Sequence, residues 1–188
     1  MIQNMDESLF LRLYTFSVEN QGIGNWMVWI TKASSVLFAG MYLALLLTLL
    51  IKKDLKIIPA VVGPFTAFGL VYGIRLLYHR PRPFIALDIE SLIYHEASGS
   101  MPSMHAVSAF AIALAIYLTH KKFGVPAMGL ALLTGLSRVM VGVHFPLDIL
   151  TGGILSLVVL YGTYRVFYGQ NNIRRSFSIF EVFTFEVF

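Results

Sequence analysis

Five uncharged apolar runs recur along the chain: Ala33–Ile51, Ile57–Ile74, Ala106–Thr119, Phe123–Ser137 and Ile149–Tyr164. Two of them reach the roughly 18 residues that mark a membrane span, and the other three approach it once their polar ends are counted. Five soluble core helices buried on every face would need far more polar surface than this chain owns. The pattern predicts an all-α polytopic membrane bundle of five transmembrane helices. No repeat or internal boundary is visible, so the whole chain, 1–188, reads as one membrane domain. Upstream of the first run, Glu7–Glu19 mixes Leu9, Phe10, Leu13, Phe16 and Val18 with polar neighbours at helical spacing. That predicts an N-terminal amphipathic helix in the interface and leaves a sixth, partial span open. Gln21–Asn25, with two glycines, reads as a linker, and Trp26 and Trp29 suit the aromatic belt. The Phe-rich tail Ser176–Phe188 reads as an interfacial helix or a disordered end.

Composition sharpens this picture. Hydrophobic residues make up 57% of the chain and charged ones only 13%, which excludes an ordinary soluble domain. There is no cysteine, so disulfides and thiolate metal sites are excluded. Asp6 and Glu7 stand where a signal peptide would carry its basic region, so a cleaved leader is not expected. A net charge of +4 invites thoughts of nucleic acid, but the placement of the basic residues argues against such a partner. Lys52, Lys53 and Lys56 lie between the first two runs, Lys121 and Lys122 between the third and fourth, and Arg165, Arg174 and Arg175 beyond the fifth. In an alternating bundle these places share one side, and the positive-inside tendency makes that side cytoplasmic. Lys32, at the outer edge of the first run, is a mild exception.

The remaining polar residues fall into three short clusters at the opposite ends of the same runs. Arg75 with Arg82-Pro83 reads R-x6-R-P, Pro102-Ser103-Met104-His105 reads P-S-x-H, and Ser137-Arg138 with His144 and Asp148 reads S-R-x5-H-x3-D. Alternation brings all three to one membrane face, away from the lysines. Ser103 suits a helix N-cap, where a hydroxyl and the free N–H groups of the first turn favour an oxyanion; a cap alone would account for it as well. His105 follows within that first turn. Pro81 and Pro83 are expected to end a helix near His79, and a terminal arginine such as Arg80 or Arg75 is also explained by snorkelling to headgroups. Arg138 is harder to explain that way, since an unpaired guanidinium at the membrane edge is costly and a fixed anion would satisfy it. Pro146 fits the first turn of the last helix, which would stack His144 and Asp148 at i, i+4 on one face. A carboxylate on one imidazole nitrogen leaves the other free as a nucleophile, although such a pair also occurs as plain structure. His95 and Glu96 read as part of a solvated loop. Two histidines and an aspartate suggest a metal, but three guanidiniums in one pocket repel a cation and attract an oxyanion. No metal and no cofactor are expected.

The three patterns, spanning 75–148, resemble those of the type 2 phosphatidic acid phosphatase family, K-x6-R-P, P-S-G-H and S-R-x5-H-x3-D. Arg75 replaces the family's lysine, and Met104 its glycine. The resemblance implies that His144 attacks phosphorus to give a phosphohistidine, oriented by Asp148. It implies that His105 protonates the leaving oxygen, and that Arg75, Arg82, Ser103 and Arg138 hold the phosphoryl oxygens. The short chain and the stretch Arg80-Pro81-Arg82-Pro83-Phe84 look like the bacterial undecaprenyl-diphosphate phosphatase branch. The expectation is therefore a multi-pass cell-membrane enzyme that converts undecaprenyl diphosphate to the monophosphate on the extracytoplasmic face. Phosphatidylglycerophosphate, phosphatidate or lipid A as substrate, or phosphoryl transfer to a second lipid, are the alternatives.

Overall fold

The computed structural model describes residues 2–177, and their side chains up to residue 167. Seven helices run in order: α1 (Ile2–Glu19), α2 (Gln21–Ile51), α3 (Ile57–Leu77), the single-turn α4 (Pro83–Ala86), α5 (Met104–Thr119), α6 (Lys121–Met140) and α7 (Pro146–Phe177). Of these, α2, α3, α6 and residues Pro146–Phe167 of α7 are long and apolar enough to cross a bilayer, and α5 is a shorter apolar helix. The five predicted runs are thus five helices. The sixth span does not appear, since α1 is not among the crossing helices.

One expectation fails. Gln21–Asn25 is not a linker but the first turns of α2, and the break from α1 is confined to Asn20. Gly24 serves close packing at this elbow: a Cβ there would come within 2.6 Å of the Ser17 carbonyl oxygen. From residue 178 on, the Phe-rich tail lies outside the described residues.

The bundle is built around α5. Twelve of its 16 residues are buried, among them Ala106, Ala109, Ala111, Ala113 and Ala115. At 1.5 Å per residue the helix is about 24 Å long, short of the roughly 30 Å hydrocarbon core. That length suffices because α2, α3, α6 and α7 pack around it. Small side chains permit the approach. A Cβ on Gly152 of α7 would already sit 3.2 Å from the Ala106 Cβ and 3.3 Å from the Ser103 carbonyl oxygen. The outer faces of α2 and α3 present Val36, Leu50, Ile51 and Phe65 outward, as a lipid-facing surface requires. Pro64 inside α3 removes the N–H that would reach the Ala60 carbonyl. The Tyr42 hydroxyl of α2 donates to that oxygen at 3.0 Å, so the acceptor freed by Pro64 is not left bare.

The C-terminal end of α3, the N-terminal ends of α5 and α7 and the C-terminal end of α6 converge. Arg75 of α3 donates to the Pro102 carbonyl before α5, and the Ser103 N–H donates to the Asp148 carbonyl of α7 at 3.0 Å. The lysines at the α2–α3 and α5–α6 turns sit at the other end.

Candidate active site

His144 owes its place to how α6 stops. Gly142 has φ +87°, a left-handed conformation that costs glycine little. Its N–H donates to the Val139 carbonyl at 3.0 Å, and the Val143 N–H donates to that of Arg138 at 3.2 Å. This pair of bonds is a Schellman stop. A Cβ on Gly142 would also meet a Tyr14 ring carbon at 3.0 Å. The turn leads into α7, which begins at Pro146, and places Asp148 in the first turn. There one carboxylate oxygen, Oδ2, accepts from the Phe145 N–H at 2.8 Å, as the acidic member of a capping box does, and from the His144 Nδ1 at 3.3 Å. Asp148 is therefore both a helix cap and the imidazole's partner.

Arg82, 1% exposed, fixes the other side of the ring. Its Nε donates to the Ser98 carbonyl at 3.0 Å, Nη1 to the Val143 carbonyl at 3.0 Å, and Nη2 to the Ser98 hydroxyl at 3.1 Å. Nη1 also lies 3.1 Å from His144 Nε2. A guanidinium only donates, so Nε2 must be the acceptor and Nδ1 must carry the proton that Asp148 receives. Burial first, and then the charges of Arg82 and Arg138, hold the His144 pKa well below its ordinary value. The ring is thus neutral, with its lone pair on Nε2. Burial and the neighbouring Arg75 push the Arg82 pKa down to about 10, which leaves it cationic at neutral pH.

The other predicted residues take graded positions. Ser103 caps α5, its hydroxyl accepting from the Ala106 N–H at 3.5 Å. Arg75 directs Nε and Nη2 at the Pro102 carbonyl, at 3.2 and 2.7 Å, and so braces the P-S-x-H turn. Arg138 is 3% exposed, and its Nε and Nη2 have no partner among the described residues. Two buried donors of a cation without a partner, whose charge acts on His144, are the donor set that an oxyanion would satisfy. Among the described residues no three His, Asp or Glu side chains converge as a metal site requires. What converges is cationic.

His105 stands at the head of a crevice of about 310 Å³ that runs into the apolar layer between α2, α3 and α5, lined by Phe38, Tyr42, Phe68 and Ile112. A larger crevice of about 600 Å³, with Lys52, His120 and Phe123 in its wall, lies at the far end of the bundle. Size alone does not mark the site.

Two residues differ from their sequence reading. Arg80 does not snorkel: Nη1 donates to Asp148 Oδ1 at 2.9 Å, Nη2 to Asp6 Oδ2 at 2.6 Å, and the guanidinium carbon lies 4.2 Å from the Phe145 ring centre. Burial opposes its charge, but Asp6 and Asp148 outweigh that and raise its pKa. Asp6 itself is buried, 4% exposed. His95 is half-buried with its ring edge-on to His144, centres 6.3 Å apart, instead of out in a solvated loop. Burial and then Arg82 lower its pKa.

The chain is similar to proteins of known family and fold. Residues 37–172 match the model of the PAP2 superfamily. The chain is 32% identical over 161 residues to the undecaprenyl-diphosphatase BcrC of Bacillus subtilis (strain 168), covering 86% of this chain and 83% of that one. Its fold is similar to the crystal structure of a transmembrane PAP2 type phosphatidylglycerolphosphate phosphatase from Bacillus subtilis, with TM-score 0.67, 24% identity and coverage of 88% and 85%. It is also similar to Aquifex aeolicus LpxE, with TM-score 0.66, 24% identity and coverage of 84% and 93%. At that identity the two structures speak for the fold.

Proposed function

Since this chain belongs to the PAP2 superfamily, we propose that it hydrolyses undecaprenyl diphosphate to undecaprenyl phosphate and inorganic phosphate at the extracytoplasmic face of the cell membrane. Membership makes it a multi-pass membrane lipid phosphatase; the lipid, the mechanism and the side are our reading. The observation that carries it is the neutral, tautomer-fixed His144 beside the unpartnered Arg138 donors, with the His105 crevice opening from the same point into the bilayer. A substrate with its phosphates in the polar cluster and its chain among Phe38, Phe68 and Ile112 fits both halves. The similarity to BcrC, over most of both chains, favours an isoprenyl diphosphate within that class.

In this reading His144 Nε2 attacks the terminal phosphorus. An N–P bond forms, the bridging P–O bond breaks, and the leaving undecaprenyl phosphate takes a proton from His105. Arg82 releases Nε2 as it turns its Nη1 to a phosphoryl oxygen, and with Arg75, Arg138 and the capped end of α5 at Ser103 it holds the charge that develops. Water then cleaves the N–P bond, with His105 taking its proton.

The substrate is tested by phosphate release from undecaprenyl diphosphate, phosphatidylglycerophosphate, phosphatidate and lipid A 1-phosphate, each presented in mixed micelles to the purified chain. The diphosphate is expected to have the highest kcat/KM. A phosphomonoester lipid turned over faster would move the assignment to that lipid. The side is tested by cysteine labelling, which is clean because the chain has no cysteine of its own. On intact cells a membrane-impermeant maleimide is expected to label Glu96→Cys, beside the site, and to spare Lys53→Cys. The opposite pattern would place the site in the cytoplasm.

A further inference from the structure

The interfacial helix α1 reaches the centre of the site through one carboxylate. Asp6 Oδ1 accepts from the Leu147 N–H in the first turn of α7 at 2.9 Å, and Asp6 Oδ2 accepts from Arg80 at 2.6 Å. Arg80 in turn holds Asp148 Oδ1 at 2.9 Å, which leaves Oδ2 to face His144. We propose that Asp6 is a positioning residue for the phosphoryl-transfer step, acting on His144 through Arg80 and Asp148.

The physical ground is a count of charges. Two carboxylates share one guanidinium, so the group carries a net charge of minus one beside the imidazole. When Nε2 bonds to phosphorus, the ring becomes cationic while Nδ1 keeps its proton. That positive charge is stabilised by the surplus negative charge on Asp148. Without Asp6, Arg80 would be neutralised by Asp148 alone, and the surplus would vanish. Asp6 has little to do before the ring acquires charge, so its effect belongs to the transition state and the intermediate, not to substrate binding. Arg80 stacked on Phe145 and Asp6 anchored on Leu147 keep the geometry fixed while charge develops. Hydrogen-bonded partners that stand behind a reacting group typically contribute about 10- to 100-fold.

Asp6 also serves as a helix cap, which a test must separate from the charge. An amide oxygen accepts as a carboxylate oxygen does, so Asp6→Asn retains an acceptor for the Leu147 N–H while removing the charge and the oxygen that accepts from Arg80. The inference rests on His144 being the nucleophile, so His144→Ala is assayed in parallel. The readout is kcat and KM per folded molecule of the full chain in detergent, on whichever lipid of the panel above the wild type hydrolyses fastest. We expect Asp6→Asn to lower kcat at least about tenfold with KM within about twofold, and Asp6→Glu to recover part of the loss. An unchanged kcat with a lowered melting temperature would make Asp6 a cap alone and overturn the proposal. A raised KM at unchanged kcat would overturn it too. Activity surviving in His144→Ala would instead remove the nucleophile on which the proposal rests.

Discussion

Replacing His144 with alanine is expected to lower kcat by about 10⁴-fold or more. The size of the loss is the decisive quantity. If His144 only oriented Asp148, its removal would cost about 10- to 100-fold, as for an outer hydrogen-bond partner. A nucleophile that splits one difficult displacement into two admits no such residual route. The measurement pairs steady-state phosphate release with alkaline-detergent-quench trapping of enzyme labelled from a terminally ³²P-labelled diphosphate. Wild type is expected to give an acid-labile, base-stable phosphoenzyme, and His144→Ala none. Persistence of the labelled species in the variant would sink the assignment. The resting structure adds a detail, because Arg82 donates to the nitrogen proposed to attack. The first event after phosphate enters is therefore the exchange of one hydrogen bond, from Nε2 to a phosphoryl oxygen.

Arg138→Met is expected to move activity and stability in opposite directions. The guanidinium is buried at 3% exposure, and its Nε and Nη2 have no partner among the described residues. Leaving a buried polar donor unsatisfied costs about 1–3 kcal/mol, more when it is charged. An apolar side chain of similar length removes that penalty, and the variant should melt higher in detergent by an amount corresponding to about 1–3 kcal/mol. Loss of a donor set aimed at transition-state charge should lower kcat by about 10²- to 10³-fold. Inorganic phosphate should raise the melting temperature of wild type and leave that of the variant unchanged. A destabilised Arg138→Met, or one with full activity, would show that the arginine serves the fold.

The contrast between Arg138 and Arg80 shows what could be read from sequence and what could not. Arg138 was legible because its cost is local: a cation at the end of an apolar run needs a partner, and none was near in sequence. The five helices were legible for a similar reason, since an uncharged run of that length has few other fates. His144 and Asp148 were legible through Pro146, which starts the helix that stacks them. Arg80 was misread because snorkelling is the ordinary behaviour of a terminal arginine, and its partner Asp6 lies 74 residues upstream, beyond any spacing rule. A signal was nevertheless present. Asp6, Phe10 and Ser17 are the buried residues of α1 and share one face at helical spacing, so a carboxylate stood in the stripe that faces the protein. The α1–α2 elbow was misread because Gly22, Gly24 and Asn25 are poor helix formers. Tight packing against Ser17 and continuity with a long apolar helix override that preference.

The bond between Asp6 and the Leu147 N–H joins residues 141 positions apart, at the two ends of the bundle's assembly. During synthesis α1 leaves the ribosome before α7, and α7 follows α2, α3 and α6 into the bilayer. Arg75, Arg82, Ser103, His105 and Arg138 are all in place before His144 and Asp148 are made. A chain arrested or misinserted before α7 therefore lacks the proposed nucleophile, and Asp6 lacks the Leu147 N–H that anchors it. Phosphatase activity thus reports that the final helix has inserted in the right orientation.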